Sequence, residues 1–544
     1  MKKTINKINI FIALVLLGLI FVASLPAFRS GIYQGHDLSL HLGRIQAIAE
    51  ELKNGQFPVR YESNAWYGHG YVSTTFYGNI FLYIPAFLYM AGLPVWRAYN
   101  VYVILVNIFT ALVGYYSFKG LFKSDRLSII AITLYTLSGY RLSNLYVRTA
   151  LGEYTAMVFV PLVIYAVYRI YSNEGKQNPV KLTLPLIIGA TGLIQSHILT
   201  TEIVAVFVLI FALINLKRTI VVIKELSLAL VAVLGVNAFF LVPFISSYRS
   251  MKLYINSTMT QTSIRADGLY LKQLFGLITT GKGSSWPWSA EDEGYLNLGL
   301  LAVICFMIIV IAIIFIIAGK KLPKVQNEKR DFKYVITLFV FGLISAWVST
   351  VYFPWDLFAG EGVLDKLMSS VQYPWRYSMF QTLFFIVAAV YFLRYLGNKS
   401  RTVTMVIVGV LAIGTTGIFD YTLSWGNVTI NEQDASDSWA DKLYLPVDTD
   451  RDSLSNTEVI IDEKSGTVTL PVLAYRNVHV YDADGDELEY IVGDNNCIQV
   501  TYDGDYTKLY TKFVEPGLWR VSEVVSFVCI ILLFFSHIKR RAPK

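Results

Sequence analysis

The chain has 544 residues, of which 54% are hydrophobic and only 16% charged. Soluble proteins carry about a quarter charged residues, so this composition, with a mean hydropathy of +0.49, excludes a soluble globular enzyme and a disordered chain. The net charge of +7 is uneven: 431–515 holds 19 acidic against 6 basic residues, and the positive charge lies in short segments between apolar blocks, a pattern of membrane topology and not of nucleic-acid binding.

The first apolar block, 8–27, follows Lys2, Lys3 and Lys7 and reads as an uncleaved signal anchor. The stretch 28–98 is polar at its start. There Gly35, His36, Asp37, His41 and Arg44 open a segment, 37–54, that is expected to be an amphipathic helix lying along the membrane surface. Asp37, His41 and Arg44 would share one face, because positions i, i+4 and i+7 align. Asp37 reads either as a helix N-cap or as a carboxylate general base. His36, His41 and His69 with Asp37 admit a divalent metal, although no ligand spacing is diagnostic; the cofactor stays unassigned.

Further spans are expected at 99–118, 127–140, 154–171, 182–197, 199–216, 220–245, 297–319, 333–353, 377–394, 402–423 and 518–537, twelve with the first. The apolar stretch 79–95 is read as a re-entrant or interfacial hairpin. If it does not cross, the basic clusters at Lys119/Lys123/Arg126, Arg169/Lys176/Lys181, Lys217/Arg218, 320–333, Arg394/Lys399/Arg401 and 539–544 all fall on the cytoplasmic side, together with both termini. The outer face then carries 28–98, 246–296, 354–376 and 424–516.

Between spans, Arg141, Arg148 and Glu153 read either as loop charge or as guanidinium groups for a phosphate. Gln195, Ser196, His197 and Glu202 sit at one turn. Asn107 and Asn237 read as helix-packing glue. Arg376, on the outer side, suits a bound anion. The segment 424–516 alternates apolar and polar residues at 466–470, 478–481, 497–502 and 508–514, with turn signals at Asp484-Gly485, Gly493-Asp494 and Asp503-Gly504, which predicts an antiparallel β-sandwich-like domain. Its Asp482, Asp484 and Asp486 read as an acidic turn, not a calcium loop. Cys497, apart from Cys305 and Cys529 in apolar blocks, leaves no disulfide framework. No phosphate loop, dinucleotide fingerprint or zinc-protease motif occurs.

Several of these stretches form an ordered set: Gly35-His36-Asp37 with His41 and Arg44; Gly55, Pro58 and Arg60; Tyr67, Gly68 and Gly70; Arg148, Ala150, Leu151, Glu153, Ala156 and Pro161; Ser196-His197; Gln372, Pro374, Trp375 and Arg376. The set resembles the YfhO-like bacterial membrane proteins and the similar 6-pyruvoyl-tetrahydropterin synthase-related membrane proteins, which look like GT-C superfamily glycosyltransferases. The resemblance implies a GT-C-like membrane domain at 1–423, a β-domain at 424–516 and a final helix with a basic tail at 517–544. It implies transfer of a sugar from a polyprenyl-phosphate donor to a cell-surface glycan, teichoic acid or lipid acceptor at the outer face of the plasma membrane. Asp37 would then be catalytic, with His41 beside it, and His36, Arg44, Tyr61, His69, Arg148, Glu153, His197 and Arg376 would bind substrate. The sequence departs from the acidic pair of many such enzymes, since His36 precedes Asp37. The alternative function is a lipid-linked sugar flippase or transporter.

Overall fold

The computed structural model describes residues 7–173, 175, 177–256, 261–282, 294–319, 328–358, 360, 362–426, 429–430 and 440–538. The expected basic residues Lys2, Lys3 and Lys176, the loop 320–327 and the tail 539–544 lie outside the described residues, as do parts of the segments 246–296 and 424–516.

All twelve expected spans fall on helix. Seven described helices are long and apolar enough to cross a membrane, from Val95–Phe122 to Gly517–Ser536, and the bent pair Ile223–Val236 and Ala238–Ser250 is long and apolar enough when its two halves are taken together. Asn9–Ala23, Pro179–Ile194 and Ile198–Ile214 are shorter apolar helices, and Asp125–Thr136 completes the set. The protein is a multi-pass membrane protein. Pro374–Leu393 is its central element, with 94% of its apolar window buried, whereas Gly517–Ser536 has 17% buried and turns most of its apolar surface outward.

The pair Ile223–Val236 and Ala238–Ser250 is bent by 73°, where the sequence suggested one continuous span. The bend falls at Asn237, whose side-chain amide donates to the Val233 carbonyl at 2.8 Å and to Thr191 Oγ1 at 2.9 Å while accepting from Gln195 Nε2 at 3.0 Å. A polar side chain drawn into the helical ladder is a standard cause of a kink. In the 79–95 stretch only Tyr83–Met90 is helical. Eight residues rise about 12 Å, too short for a hydrocarbon core of about 30 Å.

The helix Leu38–Lys53 forms as the 37–54 pattern predicts, but it is not a surface helix. Leu42, Arg44, Ala47, Ile48 and Glu51 are all buried, because Tyr83–Met90 and Val95–Phe122 pack over it. The polar face expected to meet water meets protein instead.

Nine strands are described. β1 (Ile32–Tyr33) pairs with β2 (Thr429–Ile430), so the first loop and the C-terminal region share a two-stranded ribbon. β3 (Ile460–Asp462), β4 (Thr467–Leu473), β5 (Val478–Tyr481), β6 (Glu487–Leu488), β7 (Tyr490–Val492), β8 (Cys497–Thr501) and β9 (Tyr510–Phe513) form two antiparallel sheets of order β3-β4-β8-β7 and β6-β5-β9. Val468, Leu470, Val478, Val480, Ile498 and Val500 fill one core between them, the alternation that the strand pattern required. Asp482 Oδ1 accepts from the Asp484 and Asp486 N–H groups at 3.0 and 2.9 Å, so that acidic turn binds its own backbone.

This β-rich region docks on the first loop. Tyr61 stacks on Phe513 with ring centroids 5.4 Å apart, Phe76 stacks on Tyr444 at 4.8 Å, and the Leu473 N–H donates to the His69 carbonyl at 2.8 Å. Buried Arg60 lies 3.8 Å from both Glu515 and Glu523, and Arg520 lies 3.2 Å from Glu515. Burial pushes the Glu515 carboxyl up to about 7 despite Arg60.

Candidate active site

Asp37 occupies the N-cap position of Leu38–Lys53, yet its side chain makes no capping hydrogen bond. Its place is set by backbone. The His36 N–H donates to the Val147 carbonyl at 3.1 Å and the Asp37 N–H to the Arg148 carbonyl at 3.0 Å. Gly35 permits this approach: a Cβ there would stand 2.4 Å from Thr149 Cγ2 and 2.8 Å from the Val147 oxygen. The glycine of the Gly-His-Asp stretch therefore lays Asp37 beside Arg148.

Arg148 is fixed on its other side. Its Nη1 donates to Asn144 Oδ1 at 2.6 Å and to Glu153 Oε2 at 2.8 Å. Tyr140 Oη donates to Glu153 Oε1 at 2.6 Å, and Arg376 Nε lies 3.8 Å from the same carboxylate. Arg376 Nη1 donates to the Val371 carbonyl at 2.7 Å and to Gln372 Oε1 at 3.0 Å. Glu153 thus stands between two guanidinium groups. Tyr373 and Trp375 stack with centroids 4.5 Å apart and lie within 5.2 and 5.8 Å of the Arg376 and Arg148 guanidinium carbons respectively. Thr149 and Gln372 hold φ of +51° and +61°, a left-handed conformation unfavourable for any residue and most so for a β-branched one. Such strain persists only where its surroundings enforce it; here it flanks both arginines.

The carboxyl of half-buried Asp37 is raised above its ordinary range, chiefly by burial. Arg148, His36 and Arg376 oppose the rise and Glu153 adds to it. Burial, then Arg44 and His197, drive the His41 imidazole well below its usual range, so it is neutral. His41 Nε2 accepts the Leu151 N–H at 3.2 Å, pinning the start of Leu151–Ala156, the helix that carries Glu153. His197 Nδ1 pairs with Thr200 Oγ1 at 2.8 Å and its ring faces Gly152, where a Cβ would meet the Ser196 carbonyl at 2.9 Å. His36 meets Tyr295 edge-on at 5.7 Å.

The remaining expected residues separate from this group. Arg44 has its own partners: its Nη2 donates to Asn79 Oδ1 at 2.9 Å and its guanidinium lies 4.4 Å over Tyr77, a ring that Asp37 also reaches electrostatically. Tyr61 and His69 belong to the contact with the β-rich region, His69 Nδ1 meeting the Trp66 carbonyl at 2.9 Å. The set His36, His41, His69 and Asp37 therefore does not converge, and among the described residues no three His, Cys, Asp or Glu side chains gather as metal ligands. Arg141 turns inward to Asn107 Oδ1, Thr110 Oγ1 and the Thr136 carbonyl at 2.7, 3.0 and 3.0 Å.

Other residues join the site without having been expected. Tyr140 and Asn144 stand four apart on one face of the helix Gly139–Tyr146, just before Arg148, a readable signal. Asp441 had none. It lies in the segment after the helix Asn398–Gly426, accepts from Tyr71 Oη at 2.6 Å and from the Leu443 N–H at 2.9 Å, and its carboxyl is raised by burial, with Asp37 close enough to add to the rise.

A cavity of about 540 Å³ starts at this end of the bundle. Thr155, two residues after Glu153, and Gln195, two before His197, mark its upper edge, and Phe81, Ile84, Val158 and Leu533 make its apolar wall. Basic side chains such as Lys123, Arg394 and Arg401 gather at the opposite end of the bundle.

An uncharacterized protein of Lactococcus lactis subsp. cremoris (strain MG1363) is 24% identical over 363 residues, which cover 65% of this chain and 56% of that protein. The chain spans a little over half the length of this relative. No family model matches it. Among solved structures, the arabinofuranosyltransferase AftD from mycobacteria aligns with a TM-score of 0.45 at 13% identity, over 77% of this chain and 27% of that one. A mutant form of the same enzyme aligns with a TM-score of 0.41 at 14% identity, over 78% and 28%. At these scores the likeness carries no argument about the site, whose reading rests on its own geometry.

Proposed function

We propose that this chain transfers a sugar from a polyprenyl-phosphate donor to a hydroxyl of a cell-surface glycan, teichoic acid or lipid at the outer face of the plasma membrane. The observation that carries the reading is Asp37, whose side chain makes no capping hydrogen bond although it stands at an N-cap and whose backbone N–H binds the Arg148 carbonyl, beside the Arg148–Glu153–Arg376 cluster. The basic clusters at the opposite end of the bundle support a site on the outer face, under the positive-inside rule.

In the reaction, the acceptor oxygen attacks the anomeric carbon while the carbon–oxygen bond to phosphate breaks. The acceptor proton passes to Asp37, and the polyprenyl phosphate leaves with the bonding pair. Arg148 and Arg376 stabilise the charge that develops on the phosphate, and Glu153 holds both in place. His41 is a positioning residue acting through Leu151. Asp441 orients the acceptor from the β-rich side. The polyprenyl tail lies in the cavity lined by Phe81 and Ile84.

A general base works ionised, so activity is present above its pKa and lost as pH falls through it. Burial raises the Asp37 carboxyl, so kcat/KM is expected to fall on acidification along a limb whose midpoint lies above the ~3.9 of a free aspartate. Residual transfer by Asp37→Asn should lack that limb. A pH profile that keeps the same limb in Asp37→Asn removes the assignment of Asp37 as the base.

A further inference from the structure

Tyr77 has no role in the reaction as written, yet the fold fixes it beside the site. It follows the short helix Ser73–Phe76. Its neighbour Gly78 lies against the backbone of Gln195, two residues before His197: a Cβ on Gly78 would stand 2.5 Å from the Gln195 carbonyl oxygen. Asn79, on the far side of Gly78, accepts from Arg44 Nη2 at 2.9 Å and donates to the Thr74 carbonyl at 2.8 Å. The Tyr77 ring is held on two sides, with the Arg44 guanidinium 4.4 Å over it and Tyr444 edge-on at 5.7 Å. Arg44 stands two helical turns after Asp37, and Tyr444 three residues after Asp441. Tyr77 therefore joins the two segments that carry the two carboxyls. Asp441, Arg44, Asp37 and Arg376 all act on its hydroxyl through their charges.

Of the rings gathered there, Tyr71, Phe76 and Tyr444 are buried, whereas Tyr77 is half-buried, as are Asp37 and Asp441. Both hydrogen bonds to the Asp441 carboxyl fall on Oδ1; among the described residues Oδ2 takes none. Burial pushes the Tyr77 phenol up to about 12, so at neutral pH it keeps its proton and is a donor. A phenol that donates and a carboxyl oxygen that accepts match one alcohol group, which needs both. Asp37 uses only the proton of the hydroxyl that attacks. We propose that Tyr77 and Asp441 form a subsite for a second hydroxyl of the acceptor, so that the acceptor is a polyol, such as a sugar ring, and not a simple alcohol. This rests on the transferase reading above and narrows its acceptor.

The test uses the full-length protein in phosphatidylcholine nanodiscs and three probes: undecaprenyl phosphate, glucosyl-dioleoylglycerol, and dioleoylglycerol, whose headgroup is a single hydroxyl. A site built to hydrogen-bond a hydroxyl rejects the analogue that lacks it, so the glucosyl lipid is expected to bind at least about tenfold more tightly than dioleoylglycerol. Tyr77→Phe keeps the ring under Arg44, and Asp441→Asn keeps an oxygen for Tyr71. Each should weaken the glucosyl lipid about tenfold while leaving dioleoylglycerol and undecaprenyl phosphate unchanged, a selectivity that a merely structural role would not produce. Equal binding of the two neutral lipids by wild type overturns the proposal, as does glucosyl-lipid binding unaltered in Tyr77→Phe, or a loss of undecaprenyl phosphate equal to that of the glucosyl lipid in either variant. Failure of undecaprenyl phosphate to bind the wild type instead strikes the transferase reading itself.

Discussion

Cells making Asp37→Asn at normal membrane abundance are expected to lack the surface sugar that the wild-type chain restores to a strain without it. The substitution keeps the shape of the side chain. It removes no cap, because the Asp37 side chain makes none, and asparagine is as good an N-cap residue as aspartate. Stability should therefore change by less than about 1 kcal/mol, and the loss falls on the chemistry. Removing a general base costs about 10²–10⁴ in rate. Donor binding should persist, since Glu153 still holds Arg148 and Arg376 in place. Sugar analysis of the envelope reads the result, and full restoration by Asp37→Asn would refute the assignment.

Glu153→Leu is expected to act in a different way, by destabilising the protein. Glu153 is buried between Arg148 and Arg376 and also receives Tyr140 Oη and Asn144 Nδ2. Removing one member of a buried ion pair leaves an uncompensated charge and costs about 3–5 kcal/mol. Thermal unfolding of the purified protein should show a marked fall in Tm and reduced yield. Adding Arg148→Met should recover part of that stability, because the orphaned charge goes too, while transfer stays lost. A double variant no more stable than Glu153→Leu alone would show that the pair is not the source of the cost.

The spans were legible because apolar runs of about 20 residues with charge only at their ends have one stable solution in a bilayer. The β-rich region was legible from its two-residue alternation and its Asp-Gly turns. Charge placement along the chain led to a non-crossing hairpin at 79–95, and the helix there, Tyr83–Met90, is only eight residues long. Asp37, Arg148, Glu153 and Arg376 were all expected, and the fold brings them together. Periodicity, however, says only which residues share a face, not what covers it. The helix Leu38–Lys53 was expected at the membrane surface because nothing in its own sequence announces the cover from Tyr83–Met90. Nor does any local pattern announce that Arg44 binds Asn79 and lies over Tyr77. Arg141 read equally well as a phosphate ligand; its partners Asn107 and Thr110 lie more than 30 positions away. Asp441, from the far end of the chain, and the bend at Asn237 depend on contacts between segments that no local pattern records.

The central claim is tested most directly by incubating the purified chain in nanodiscs with an undecaprenyl-phosphate-linked sugar and a hydroxyl-bearing lipid acceptor, and measuring undecaprenyl phosphate released together with sugar attached to the acceptor. Wild type is expected to yield both in equal amount, and Asp37→Asn to bind the donor but yield both about 10²–10⁴-fold more slowly. Movement of the intact lipid-linked sugar between leaflets of a liposome with no release, or equal release by wild type and Asp37→Asn, would contradict the account, the first result in favour of a flippase and the second against Asp37.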